Sequence, residues 1–208
     1  MWNYMDLKNF NKIYKKIKEF SAKLLPVVKN RSVDEIRFLY EFGITDFGEN
    51  RIEDYEKHKN SYNDVNYHFL APLQSRKIKY ISENFQVIHS VQRKKEVDLL
   101  NKQQSKSNIF LQINLDKDLN KSGIYKEELF DLYDYCLKKS IQPVGLMTIP
   151  NINSDPKLVF SQLSQLNTIL KKDNANYPGE LSMGMSKDYE IALEYGATIV
   201  RIGTKLFK

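Results

Sequence analysis

Short apolar segments alternate with helical segments along nearly the whole chain, and this alternation constrains the fold more than any other feature. The apolar segments are continuous and no hairpin turn separates any two of them, which is typical of a parallel sheet covered on both faces. We predict eight strands, at residues 24–29, 45–48, 67–71, 87–91, 109–115, 142–149, 180–184 and 199–203. Eight strand–helix units predict an α/β fold of the (β/α)8 TIM barrel type, and an open doubly wound sheet is the alternative.

The two ends of the chain fit this arrangement. No helix follows the last predicted strand, so we expect an amphipathic N-terminal helix at Met1–Phe20 to cover part of the barrel exterior. A chain of 208 residues has room for one barrel and for no second domain. We therefore predict a single domain over residues 1–208.

Charge and cysteine content restrict the partners and the compartment. The formal net charge is +6, but the basic residues are scattered and no nucleic-acid motif accompanies them, so we expect no nucleic-acid partner. No apolar run reaches the length of a membrane span and no secretory signal is visible, so we expect no membrane contact. The one cysteine, Cys136, lies in a predicted helix, which favours a cytoplasmic protein. No dedicated interface is visible, and we expect a monomer.

Small and hydroxyl-bearing residues follow the last two predicted strands. Leu181-Ser182-Met183-Gly184-Met185-Ser186 and Val200-Arg201-Ile202-Gly203-Thr204 each lead from an apolar strand into a turn. Such turns let the backbone approach an anion and donate hydrogen bonds to it, so the pair predicts a phosphate cradle. Another predicted strand, Leu24-Leu25-Pro26-Val27-Val28-Lys29, ends on a lysine, which we expect the barrel mouth to desolvate. A nucleophilic amine beside a phosphate cradle predicts a ligand that carries both an aldehyde and a phosphate.

Two of the three histidines fall at predicted strand ends. We interpret both, His68 and His89, as buried structural residues or as residues that contact the ligand-binding side chains rather than the ligand. Neither they nor His58 has the spacing of metal ligands, and the chain has a single cysteine, so we predict no metal site.

The residues at the strand ends, taken together, resemble the pyridoxal phosphate homeostasis protein family, which shares its fold with the N-terminal domain of alanine racemases. The matching segments occur in the family's order between Leu24 and Phe207. They are Phe47-Gly48-Glu49-Asn50, His68-Phe69 with Leu73-Gln74-Ser75, Gln112-Ile113-Asn114, Lys121-Ser122-Gly123, Gly145-Leu146-Met147 and the two C-terminal turns described above. The resemblance implies that the cofactor is pyridoxal 5′-phosphate (PLP), a form of vitamin B6.

The resemblance also implies a role for each residue of the predicted cradle. Lys29 would form a Schiff base with PLP. Ser186, Gly203 and Thr204 would hold the phosphate, and Arg201 would face the pyridine nitrogen. No residue of the chain is assigned a catalytic role.

Two further residues are expected in the cofactor site, Asn50 at the ring or its 3′-oxygen and Met147 packed in the pocket. Turn capping and core packing are the alternatives for these two. Because an arginine at the ring nitrogen disfavours the pyridinium form, PLP is a weaker electron sink there. The resemblance implies a non-catalytic carrier or regulator in intracellular PLP homeostasis, with apo PLP-dependent enzymes as recipients. The alternatives are a PLP-dependent racemase or lyase acting on amino acids, and a barrel that binds another phosphorylated metabolite.

The chain departs from the family pattern at a few positions near the predicted site. Val28 stands where a serine usually precedes the lysine, Ala71 replaces a glycine, Arg76 an asparagine and Gln92 an aspartate. The family's closing Phe-Gly-x-Arg is shortened to Phe207-Lys208. Because Val28 cannot donate a side-chain hydrogen bond, we expect weaker binding with the cradle retained.

Overall fold

A computed structural model describes residues 6–207. Eight parallel strands stand side by side in the order β1-β8-β7-β6-β5-β4-β3-β2, and β1 and β2 then meet through a parallel bridge between Val27 and Gly48. The strands are β1 Lys23–Pro26, β2 Asp46–Glu49, β3 Asn66–Phe69, β4 Val87–Val91, β5 Asn108–Gln112, β6 Pro143–Met147, β7 Glu180–Ser182 and β8 Ile199–Ile202. This sequential order, closing on itself, confirms the predicted (β/α)8 barrel and excludes the open doubly wound sheet.

Helices connect successive strands and surround the barrel. They are α1 Leu7–Glu19, α2 Val33–Glu41, α3 Ile52–His58, α4 Ile78–Asn84, α5 Lys94–Lys102, α6 Leu129–Lys138, α7 Pro156–Asp173 and α8 Tyr189–Glu194, with 3-10 turns at Ser75–Lys77 and Lys126–Glu128. The start of α2 shows why a helix begins there. Ser32 accepts from the Glu35 backbone and Glu35 accepts from the Ser32 backbone, which is a capping box.

The N-terminal helix lies on the barrel exterior, as predicted, over the part of it that the structure describes. Residues 1–5 of the predicted helix Met1–Phe20 lie outside the described residues. The ring of Phe10 packs edge-on against Phe38 and Phe42 of the α2 region, with centroids 5.3 and 4.8 Å away. Asn9 Nδ2 donates to the Lys205 carbonyl at 2.6 Å. These contacts fasten α1 beside α2 and the end of the chain, where no helix follows β8.

The barrel closes between β1 and β2 through a single parallel bridge, and the sequence shows one reason why this pairing is short. The Val27 N–H donates to Ile202 of β8, whereas the Val28 N–H donates to Gly48 of β2 at 3.0 Å. Because the two edges of a strand alternate with period two, the nitrogen of Pro26 also faces β2. Proline has no N–H to donate, so this position cannot contribute a hydrogen bond to the closure.

Candidate functional site

The turns after β7 and β8 adjoin one another at the C-terminal mouth of the barrel. The Arg201 N–H donates to the Gly184 carbonyl at 2.9 Å, and Lys205 Nζ lies 5.3 Å from the Tyr189 ring centroid. Of the residues predicted to hold phosphate, Ser186 and Gly203 are half-buried and Thr204 is exposed. Their backbone N–H groups donate to no acceptor within residues 6–207. These backbone donors are therefore free on two adjoining turns, which an anion cradle requires.

Gly184 shapes the first of these turns, because no other residue suits its place. Its φ is +88°, a region that side chains with a Cβ rarely adopt. A Cβ there would also stand 2.5 Å from the Ala192 Cβ of α8 and 3.0 Å from the Tyr189 Cα. The absence of a side chain is what allows the start of α8 to approach the end of β7 so closely.

Lys29 lies in the turn after β1 on the same mouth, but two expectations about it were wrong. The strand ends at Pro26 rather than at Lys29, and the Lys29 side chain is exposed rather than desolvated. The turn nevertheless borders the β8 loop. The Val27 carbonyl is 3.3 Å from the place of a Cβ on Gly203, and the Arg31 guanidinium lies 4.4 Å from the Phe207 ring centroid. Lys29 itself has no hydrogen-bond or ion-pair partner among the described residues.

Arg201 is buried at the level where β6 and β7 end. Its Nη1 donates to Ser182 Oγ at 2.6 Å and its Nη2 donates to the Thr148 carbonyl at 2.9 Å. Burial lowers the pKa of Arg201 to about 10, an effect that Asp188 partly offsets, so the guanidinium is charged at neutral pH. It forms no ion pair within 4 Å with any carboxylate in the described part of the chain. Two of its five N–H donors are used, and a buried cation of this kind calls for a further acceptor.

Two buried acceptors near the C-terminal ends of separate strands have no partner within residues 6–207. Asn50 Oδ1 after β2 and Gln112 Oε1 at the end of β5 accept no hydrogen bond within residues 6–207. Asn50 also borders a cavity of about 240 Å³ formed with Phe69, Ala71 and Gln74. Buried polar atoms are normally satisfied, so each of these oxygens is a candidate ligand contact, whereas the third such atom, Tyr80 Oη, lies on the outer helix α4. Gln112, Ser182 and Thr148 were not assigned a site role from the sequence, although each is a polar residue at or just after the end of an otherwise apolar strand.

Met147 belongs to the barrel interior. It is 1 % exposed and packs in an apolar cluster with Leu25, Phe110 and Ile199. This placement matches the core-packing alternative for Met147. A ligand at the C-terminal mouth would contact Met147 only from above, at the bottom of the pocket.

His68 and His89 are also inside the barrel, as the structural interpretation predicted. They are 2 % and 0 % exposed, and a hydrogen bond of 2.9 Å joins His68 Nδ1 to His89 Nε2. Burial lowers the pKa of both imidazoles, although Asp46 partly opposes this at His68. His58 is buried elsewhere, between Glu49 and Tyr67. No cluster of three His, Cys, Asp or Glu side chains within residues 6–207 is arranged for a metal ion.

The departures from the family pattern have structural accounts at two of the four positions, Val28 and Gln92. Val28 is buried and its backbone forms the β1–β2 closure. Gln92 Oε1 accepts a short hydrogen bond from the Gly123 N–H, and the Ala71 carbonyl accepts from Ser90 Oγ at 2.5 Å. Arg76 is exposed in a 3-10 turn, and nothing in the structure explains this residue.

A larger cavity, about 790 Å³, lies at the opposite, N-terminal mouth of the barrel. Its lining includes Lys23 and Asp46, which are paired with each other at 3.1 Å, and no unpartnered buried polar atom lies in it. Cavity volume alone would favour the N-terminal mouth as the ligand site. The free N–H groups, the orphan acceptors and the unpaired Arg201 instead place the candidate site at the C-terminal mouth, where barrel enzymes bind their ligands.

Comparison with known proteins identifies the family of the chain. The family model described as the N-terminal domain of alanine racemase matches residues 6–208. A pyridoxal phosphate homeostasis protein of Aquifex aeolicus is 38% identical over 91% of this chain and 87% of its own. One from Synechocystis is 40% identical over 90% of this chain and 91% of its own.

Solved structures give the same result for the fold. PipY of Synechococcus elongatus without PLP has a TM-score of 0.87 and 29% identity, covering 97% of this chain and 99% of PipY. The PLP-bound form of PipY has a TM-score of 0.83 over the same shares of both chains. Alanine racemase of Acinetobacter baumannii has a TM-score of 0.73 and 14% identity, covering 97% of this chain and 61% of the racemase, which shows a shared barrel only.

Proposed function

Because this chain belongs to the pyridoxal phosphate homeostasis protein family, we propose that it binds PLP at the C-terminal mouth of its barrel. The observation that carries the proposal is Arg201, a buried cation with unused N–H donors and no carboxylate partner within the described residues. A pyridine nitrogen is an acceptor that these donors suit. The PLP-bound structure of PipY supports the same cofactor.

The residues of this mouth fit the separate parts of the cofactor. Lys29 would form the Schiff base, Ser186, Gly203 and Thr204 would bind the phosphate, and Arg201 would face the ring nitrogen. The free backbone donors of the cradle residues support the phosphate assignment.

The two remaining site residues differ in how far the structure supports them. The orphan Oδ1 of Asn50 supports a contact with the ring or its 3′-oxygen. Met147, buried in the interior cluster, would form only the floor of the pocket.

We further propose that the protein is a carrier or regulator of PLP without a catalytic activity of its own. When bound, PLP supplies an aldehyde that condenses with amines and a ring that withdraws electrons. Arg201 remains protonated at neutral pH, so it donates to the ring nitrogen and does not protonate it. Lys29 is exposed, so its amine stays accessible to water and to other amines. Both features favour storage and release over turnover.

The remaining parts of the proposal concern the setting in which the protein acts. We propose a single-domain monomer of the cytoplasm that exchanges PLP with apo PLP-dependent enzymes. The buried, unpaired Cys136 is compatible with a reducing compartment. None of the helices within residues 6–207 has the length and apolar content that crossing a membrane requires.

An absorbance titration with PLP tests the proposal directly. Wild type should develop the near-ultraviolet or visible band of lysine-linked PLP, and borohydride should fix the cofactor at Lys29. Lys29→Ala should lose the band and the covalent label. Lys138→Ala is the matched control, because Lys138 is an exposed lysine on the outer helix α6, and it should behave as wild type.

Two results would contradict the proposal in different ways. A wild-type protein that gives no band would refute PLP binding through a lysine. Turnover of any amino acid in a panel, abolished in Lys29→Ala, would refute the non-catalytic role and support the enzyme alternative. Phosphate-dependent binding that Lys29→Ala leaves unchanged would instead indicate another phosphorylated metabolite.

A further inference from the structure

A continuous hydrogen-bonded chain runs through the barrel interior, and we call it the interior chain. Asp46 Oδ1 is 2.9 Å from His68 Nε2, and His68 Nδ1 is 2.9 Å from His89 Nε2. His89 Nδ1 is 2.8 Å from Ser182 Oγ, which Arg201 Nη1 reaches at 2.6 Å. The chain thus leads from the N-terminal mouth, where Asp46 also meets Lys23, to the C-terminal ends of β6 and β7. TIM-barrel interiors are usually filled by branched apolar residues, so a polar chain requires a reason.

Burial lowers the pKa of both imidazoles, and with both neutral the Asp46 end of the interior chain determines the direction of every hydrogen bond in it. A guanidinium only donates, so Ser182 Oγ accepts from Arg201 and its own proton is left for His89 Nδ1. His89 then carries its proton on Nε2 and donates to His68 Nδ1. His68 likewise carries its proton on Nε2 and donates to the Asp46 carboxylate, which only accepts. Both neutral histidines are therefore in the same tautomer, with the proton on Nε2.

The charges and packing around the chain agree with this direction. The charged groups that face it are Lys23 and Asp46 at one end and Arg201, with Asp188 beyond it, at the other. Burial, the neighbouring imidazole and Arg201 all lower the pKa of His89. The ring of Phe110 stacks on His89 with centroids 4.4 Å apart, which fixes the plane of the imidazole.

We propose that Ser182, His89 and His68 are positioning residues for Arg201. They hold one edge of its guanidinium in place and leave other N–H groups for the cofactor ring nitrogen. They also connect its positive charge to Asp46, through groups that are themselves neutral. A side chain held in this way loses less conformational freedom when the ligand binds. The inference rests on the proposed PLP site and deepens it, since it identifies what orients the residue that faces the ring.

Measurement of imidazole nitrogens in the ligand-free wild type tests the direction of the interior chain. Long-range ¹H–¹⁵N NMR spectra distinguish the two neutral tautomers and the imidazolium. We expect His68 and His89 both to be neutral with the proton on Nε2 at pH 7. A proton on Nδ1 of His89, or an imidazolium at either residue, would overturn the proposal.

Binding of PLP labelled with ¹⁵N at the ring tests the positioning role itself. Ser182→Ala removes one charge-assisted hydrogen bond to Arg201, and it should raise Kd about 10-fold and shift the ring-nitrogen resonance. His89→Phe retains an aromatic ring beside Phe110 but breaks the chain, and it should shift the same resonance. Ser90→Ala is the matched control, because it removes a buried hydroxyl next to His89 that lies outside the chain.

The outcomes separate this inference from the proposed function. If wild type binds PLP and both variants keep its Kd and ring-nitrogen shift, the positioning role is refuted while the function stands. Loss of stability alone, shared with Ser90→Ala, would likewise count against it. If wild type does not bind PLP, the proposed function fails, and so does the link between the interior chain and the cofactor. The tautomer measurement would still decide the direction of the hydrogen bonds in the interior chain.

Discussion

Replacement of Gly184 by alanine should destabilise the protein far more than the same replacement at Gly196. Both glycines have similar positive φ values, +88° and +85°, so both substitutions carry the left-handed backbone penalty of about 1–2 kcal/mol. Only at Gly184 does the new Cβ meet other atoms, at 2.5 Å from Ala192 and 3.0 Å from Tyr189. Overpacking of this kind adds about 1–3 kcal/mol. Nothing lies within 4 Å of a Cβ at Gly196.

The expected free energies of unfolding follow from these terms. Gly184→Ala should lose about 3 kcal/mol, which lowers Tm by about 6–12 °C for a chain of this size. Gly196→Ala should lose about 1 kcal/mol, or about 2–4 °C. Urea unfolding followed by circular dichroism measures both, with unchanged m-values as the check that the denatured states are comparable.

The same pair of variants also tests the site. Because the Gly184 carbonyl accepts from the Arg201 N–H at 2.9 Å, a displaced turn should weaken PLP binding in Gly184→Ala and leave Gly196→Ala close to wild type. Equal losses of stability in the two variants would refute the reasoning, since the close approach of α8 to the turn would then have no energetic effect.

Three further predictions concern charge, reactivity and packing. Burial raises the pKa of Asp46, but the hydrogen bond from His68 and the Lys23 charge outweigh it, so the pKa is lowered overall. The ionised carboxylate therefore stabilises the fold at pH 7, and Asp46→Asn should lose that stability. In denaturation at several pH values, the difference between wild type and Asp46→Asn should vanish as the pH falls from about 5 through the lowered pKa. Burial raises the pKa of the Cys136 thiol to about 12, so a thiol reagent should label native protein far more slowly than unfolded protein. Phe10→Ala should cost about 3–5 kcal/mol by urea unfolding, and Phe20→Ala, at an exposed ring, much less.

The repeated strand–helix pattern was sufficient to predict the barrel, because parallel strands buried on both faces leave a strong periodic signal. Element boundaries were less certain. The apolar run through Val27 and Val28 predicted a strand up to Lys29, but Pro26 has no N–H and β1 ends there. Val27 and Val28 still pair with β8 and β2 through their N–H groups, and the chain leaves the sheet only at the turn that holds the exposed Lys29.

The interior chain could not be assembled from sequence, although its members were visible. His68 and His89 were identified as buried groups, but they meet only because β3 and β4 are neighbours. Ser182, which hydrogen-bonds His89, lies 93 residues after it in the sequence. Spacing along one strand carries no information about a contact across the barrel. Similarly, the orphan oxygen of Gln112 depends on loop geometry that no local pattern records.

The short closure between β1 and β2 lies beside two residues of the candidate site. A single bridge joins these strands, and a proline faces the gap. Lys29 and Asn50 follow the two strands on either side of it. Local separation of β1 from β2 would widen the mouth between the Lys29 amine and the Asn50 side-chain amide while the other strand pairs stay intact. If PLP binds at this mouth as proposed, such a separation would let it leave without unfolding of the barrel.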